Sequence, residues 1–149
     1  MTNIPRPALL LGLAGLLPFV WSVVTQLSPD LAVLTVSAIG PRFVGPYVGL
    51  SYGTIILCFM SGVLWGFATR AKTNSVIYYT ASVLPALWTF FFVGDGPVSS
   101  AICLGLGFLG LLCLDLLFWK HQLAPDWWMQ LRGMLTAIVL ACLIATAVG

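Results

Sequence analysis

The chain has 149 residues, 60% apolar and 7% charged, with a formal net charge of +2 and a mean hydropathy of +1.07. A water-soluble domain carries about a quarter charged residues, so most of this surface is built to meet something other than water. The scattered charges exclude a nucleic-acid footprint, and no polar stretch is long enough to fold as a second domain.

Crossing the hydrocarbon core of a bilayer takes about 20 apolar residues, and five windows qualify. The first covers about 8–27 and follows Arg6. No small-x-small site closes a short apolar core there, so it reads as a retained span rather than a cleaved signal. The Met-Thr start lacks the glycine of a myristoylation site. Pro18 lies near its middle and is expected to kink it. Ser28-Pro29-Asp30 then opens a helix and Gly40-Pro41-Arg42 stops it. The enclosed Leu31–Ile39 is too short to cross and predicts a short extra helix in the first, outer loop, either interfacial or packed on the bundle.

The second window covers about 44–68 and the third about 75–93, with Pro85 inside the third. Gly94-Asp95-Gly96-Pro97 is turn chemistry, and Pro97 suits the first position of the next helix. The fourth window covers about 98–119. A polar loop from Lys120 to Asp126 separates it from the fifth, about 129–148. The fold class is therefore an all-α integral membrane protein, a five-helix transmembrane bundle forming one domain over 1–149.

Orientation follows from the basic residues, which favour the cytoplasmic side. With the N-terminus inside, the inner segments hold Arg6, Arg70, Lys72, Lys120 and Arg132, and the outer ones hold Arg42. Trp65, Tyr78, Tyr79, Trp119, Trp127 and Trp128 then fall near the inner interface, where amphipathic rings are stable.

Small residues recur at a four-residue spacing. The second span has Gly45, Gly49 and Gly53, then Ser61, Gly62 and Gly66; the fourth has Ser99, Cys103 and Gly107. Lipid supplies no hydrophobic force between helices, so close backbone approach at such faces matters. Packing among the five helices is the first reading and a homodimer the second. The cysteines Cys58, Cys103, Cys113 and Cys142 all lie in apolar runs without a CxxC pair, which suits packing rather than a metal or disulfide.

Asp115 is the residue most able to carry chemistry. It lies about one turn inside the Trp119-Lys120 interface, where a charge costs a few kcal/mol unless paired. Arg132 falls at a similar depth on the next, antiparallel span, so an Asp115–Arg132 ion pair is expected. Its first reading is a structural lock; the alternative is a proton-relay or ligand-anchoring carboxylate. His121 reads as a solvated loop residue, Asp126 as a cap or loop charge, and Asp95 as a turn residue. No Walker loop, dinucleotide fingerprint, HExxH or nucleophile–base set occurs, so neither cofactor, metal nor catalytic residue is expected.

The stretch from Ile4 to Val20, I-P-R-P-A-L-L-L-G-L-A-G-L-L-P-F-V, resembles the first span of the uncharacterised membrane-protein family called domain of unknown function 3429, whose eukaryotic relatives include transmembrane protein 69. Leu50 to Gly66 resembles that family's Y-G-A-x-I-L-S-F-L-G-G-x-x-W-G, with Thr54, Cys58, Met60 and Ser61 as mild departures. Pro125-Asp126-Trp127-Trp128, Leu131-Arg132 and Leu135-Thr136 resemble its P-x-W-Y, L-R and L-T elements, with Trp128 in place of Tyr. The resemblance implies a polytopic protein of the bacterial inner membrane with mitochondrial relatives, and implies no activity. A shorter stretch, Ala86 to Phe92, is similar to the W-x-P-x-F-F of tryptophan-rich sensory proteins, five-helix membrane proteins that bind porphyrins or sterols. Phe90 stands at the proline position, and the rest of that pattern is absent.

Three function classes follow, in order. The first is a non-enzymatic accessory, assembly or scaffold component of a membrane complex, partnering the bilayer and other membrane-protein subunits. The second is a binder of a quinone, porphyrin or lipid in a cavity between kinked helices, lined by Tyr52, Trp65 or Trp88. The third is a membrane enzyme using Asp115.

Overall fold

The computed structural model describes residues 4–73 and 75–149. Among the described residues, five helices or helix pairs are long and apolar enough to cross a membrane. The first crossing is a pair, α1 (Arg6–Ala14) and α2 (Leu17–Leu27). The others are α4 (Tyr47–Ala68), α5 (Ser75–Phe92), α6 (Pro97–Lys120) and α7 (Trp128–Val148). Between the first two crossings lie α3 (Pro29–Ile39) and a single 3-10 turn at Pro41–Phe43.

Pro18 explains why the first crossing is two helices rather than one bent helix. A proline ring clashes with the carbonyl four residues back, here that of Ala14, where α1 ends. The joint is bridged by tightened bonds, Leu16 N–H to Leu13 O at 3.0 Å and Phe19 N–H to Leu16 O at 3.1 Å. Pro85, in contrast, stays inside a continuous α5. It offers no N–H to Ala81, and the next carbonyl, that of Ser82, accepts the Ser61 hydroxyl from α4.

Helices α2, α4, α6 and α7 surround the core, and α5 packs outside on α4 and α6. Phe19, Leu57, Leu64, Leu104, Phe108, Leu111 and Phe118 are fully buried between them. The close approach of α2 to α4 is made by glycines. A Cβ on Gly49 would lie 2.6 Å from Ser22 Oγ, and one on Gly45 would collide with the Ser22 carbonyl. Gly53 faces Phe19 and Leu104, and Gly107 of α6 faces Leu57 and Trp88. Gly62 and Gly66 differ from the packing role expected of them. They point out of the bundle with no atom within 4 Å of a Cβ.

Helix α3 lies against α2 and the 3-10 turn, with only Thr35 buried. It is peripheral to the bundle rather than inserted in it. At the opposite end, the turn after α6 places Gln122 at φ 58°, and Leu123 N–H reaches back to the Phe118 carbonyl at 3.0 Å. This closes α6 with a left-handed cap. Arg70 Nη1 donates to the Leu123 carbonyl at 3.2 Å, tying the α4–α5 loop to the α6–α7 loop.

Candidate ligand cavity and buried ion pair

Residues 128, 132 and 136 lie four apart, which puts Trp128, Arg132 and Thr136 on one face of α7. That face meets α6 at Asp115, which is completely buried. Arg132 Nε donates to Asp115 Oδ2 at 2.7 Å, and Trp128 Nε1 donates to Oδ1 at 2.7 Å. Both carboxylate oxygens therefore have a donor. A buried carboxylate needs this arrangement, since attraction alone rarely offsets desolvation. The indole of Trp128 is held in turn by Phe67 of α4, edge-on at 5.0 Å.

Arg132, with Trp128 and Thr136, also lines a cavity of about 560 Å³, while Asp115 lies behind it and outside the lining. Where the first crossing breaks, α2 continues along α4, whereas α1 leans on α7 and buries none of its residues. The space left between α1, α4 and α7 is lined mainly by apolar side chains such as Leu11, Ile56, Met60, Val63 and Leu135. Leu11 and Phe59 on its rim are 74% and 64% exposed, so it opens sideways toward the lipid-facing surface. Its size lies within the usual range of small-molecule pockets, and like them it pairs an apolar lining with a few polar groups.

Two of those polar groups lack partners. Arg132 Nη2 and Thr136 Oγ1 are buried with no hydrogen bond among the described residues. Thr136 stands apart from its counterparts. Thr25, Thr35, Thr54 and Thr89 each donate to the carbonyl four residues back, at 2.7 to 3.0 Å.

The aromatic residues expected at a cavity are dispersed. Tyr52 lines the cavity beside Phe19, 5.5 Å between ring centres. Trp88 lies elsewhere, on a smaller space of about 270 Å³ between α5 and α6, and donates to the Cys103 carbonyl at 2.8 Å. Trp65 lines neither and packs on Tyr79 at 4.7 Å. The cavity instead uses Trp127 and Trp128, which sequence reasoning assigned to the interface. For Trp128 the signal is the face of α7 that it shares with Arg132. His121 is exposed, bonds to the Leu117 carbonyl at 2.8 Å and touches Tyr78. Among the described residues, no three His, Cys, Asp or Glu side chains gather into a metal-binding group.

Crossing-length apolar helices whose two buried charges, Asp115 and Arg132, are paired with each other define a multi-pass integral membrane protein. Within that class, the chain belongs to the family described as protein of unknown function (DUF3429), whose model matches residues 4–148. Among curated proteins it is similar to transmembrane protein 69 of Xenopus tropicalis, 30% identical over 154 residues, covering 100% of this chain and 56% of that one. It is also similar to transmembrane protein 69 of Mus musculus, 29% identical over 150 residues, covering 97% and 56%. The chain thus spans little more than half the length of these relatives. No solved structure matches significantly.

Proposed function

We propose that this protein binds a lipophilic small molecule that enters sideways from the bilayer into the cavity between α1, α4 and α7. The observation that supports this is the cavity of about 560 Å³, apolar on its walls and open to the lipid side, with the buried Arg132 in its lining. A scaffold has no need of such a space, because lipid-embedded helices gain from close packing. Enzyme chemistry has less support. Both oxygens of Asp115 are already engaged, so it offers no free base.

The membrane in this reading is the bacterial cytoplasmic membrane, with the N-terminus inside and the C-terminus in the periplasm. Arg132 is paired and buried, so it leaves the count of flanking charges. Arg6, Arg70, Lys72 and Lys120 remain as exposed bases at one end, against Arg42 at the other, and this bias favours the same orientation.

The test is purification in a mild detergent, followed by native mass spectrometry and extraction of what is retained. Wild-type protein is expected to hold a small molecule stoichiometrically. Ile56→Trp, which fills the cavity from α4, is expected to lose it while remaining folded. Wild-type protein that retains nothing, or an Ile56→Trp variant that retains as much, overturns the reading.

A second reading, an accessory subunit or homodimer, draws on Gly62 and Gly66, which offer α4 an outward face that a neighbouring helix can approach. Cys58 is exposed one turn away. Oxidative cross-linking in native membranes is expected to join two chains at Cys58 if that face pairs. Cross-linking equal to that of exposed Cys113, in the second half of α6, would count against it.

A further inference from the structure

Arg132 and Thr136 both line this apolar space, one turn apart on α7, and each keeps a buried donor without a partner, Nη2 and the hydroxyl. Arg132 is 5% exposed and Thr136 2%, so neither group turns to solvent instead. An unsatisfied buried donor is costly, and a natural core keeps few of them. Thr136 also has an internal remedy that it does not take, namely the back-bond to a carbonyl that four other threonines make.

The charge of the site restricts what completes it. Asp115 already neutralises Arg132. A carboxylate or phosphate headgroup would leave the cluster with a net negative charge inside a low-dielectric wall, which is unfavourable. A neutral acceptor oxygen satisfies both donors and adds no charge. A carbonyl fits best, because its two lone pairs accept one bond from Nη2 and one from the hydroxyl.

We infer that the ligand is an uncharged carbonyl-bearing lipophile, its carbonyl oxygen held by Arg132 Nη2 and Thr136 Oγ1 and its apolar part running past Ile56 and Met60 toward the opening at Leu11 and Phe59. This rests on the cavity reading above and assigns it a headgroup chemistry and an orientation. Two sources carry that chemistry, a ring ketone such as an alkylated benzoquinone and the ester of a neutral glycerolipid.

The experiment titrates detergent-purified, delipidated full-length protein with four probes, read by native mass spectrometry. The probes are decylbenzoquinone, a dioleoylglycerol, decylbenzene as the hydrocarbon control and decanoate as the anionic control. One of the carbonyl probes is expected to bind at least fivefold more tightly than decylbenzene and decanoate, and the better one identifies the source. Thr136→Val keeps the shape of the side chain and deletes an unmet donor, so it is expected to fold at least as well and to weaken that probe about fivefold. Arg132→Lys keeps a cation for Asp115 while removing Nη2, and is expected to weaken it further. Decylbenzene binding as tightly as the carbonyl probes, decanoate binding best, or unchanged affinity in Thr136→Val overturns the headgroup assignment and leaves the cavity reading intact. Failure of all four probes to bind overturns both.

Discussion

Arg132 Nε lies 2.7 Å from Asp115 Oδ2, while Nη2 of the same guanidinium has no partner among the described residues. The guanidinium fastens α7 to α6 through Nε, and the residue is also part of the cavity lining. The proposed ligand contact and the helix fastening therefore involve different atoms of one residue and can be tested apart.

Removing the carboxylate charge tests the fastening. Asp115→Asn leaves Arg132 buried and uncompensated, and is expected to cost about 3–5 kcal/mol. Replacing both partners by apolar residues, Asp115→Leu with Arg132→Met, is expected to cost less than Asp115→Asn alone. Unfolding in mixed micelles by graded SDS measures both. A double variant weaker than the single one would show that the pair contributes more than mutual neutralisation.

The second donor to Asp115 can be removed without disturbing the ion pair. Trp128→Phe deletes the indole N–H at 2.7 Å from Oδ1 and keeps an aromatic ring against Phe67. A hydrogen bond to a charged acceptor contributes about 1.5–3 kcal/mol, and a loss in that range is expected from the same SDS titration. A loss under about 0.5 kcal/mol would show that Oδ1 finds another donor readily.

The glycines of α4 are expected to split into two behaviours. Gly49→Ala places a methyl 2.6 Å from Ser22 Oγ and should cost about 1–3 kcal/mol by forcing α2 and α4 apart. Gly62→Ala meets nothing within 4 Å and should be neutral, or stabilise by up to about 1 kcal/mol through helix propensity. Thermal unfolding in detergent distinguishes them. A Gly62→Ala loss that appears only in native membranes would point to a partner helix on that face.

Gln122 holds a backbone conformation, φ 58°, that costs a side-chain-bearing residue about 1 kcal/mol and glycine little. Gln122→Gly is expected to stabilise by about 0.5 kcal/mol, after the greater chain entropy of glycine when unfolded is subtracted. Its thermal midpoint relative to wild type provides the measurement. A lowered midpoint would mean that the glutamine side chain contributes more than its strain costs.

The residues at the joint of the first crossing show where sequence reasoning reached and where it stopped. Pro18 is visible in the sequence as a helix disturbance, but not as the point where α1 leaves α4. Gly49 and Gly62 share one four-residue pattern, yet one packs against Ser22 and the other faces outward. Trp88 has the composition of a cavity residue and lies in a different space from Tyr52.

The sequence by itself determined the membrane class, the number of crossings, the short helix between the first two, and the matching depth of Asp115 and Arg132. These depend on quantities local to the chain: run length, charge placement, and turn residues. The tertiary structure alone decided the rotation of each helix about its axis. That rotation brought Trp128 to Asp115, turned Gly62 outward, and set Arg132 and Thr136 in the lining of one cavity. In a chain apolar on every side, hydrophobic periodicity hardly marks an inner face. Side-chain packing between helices sets it instead, and packing is a property of neighbours that no single segment encodes.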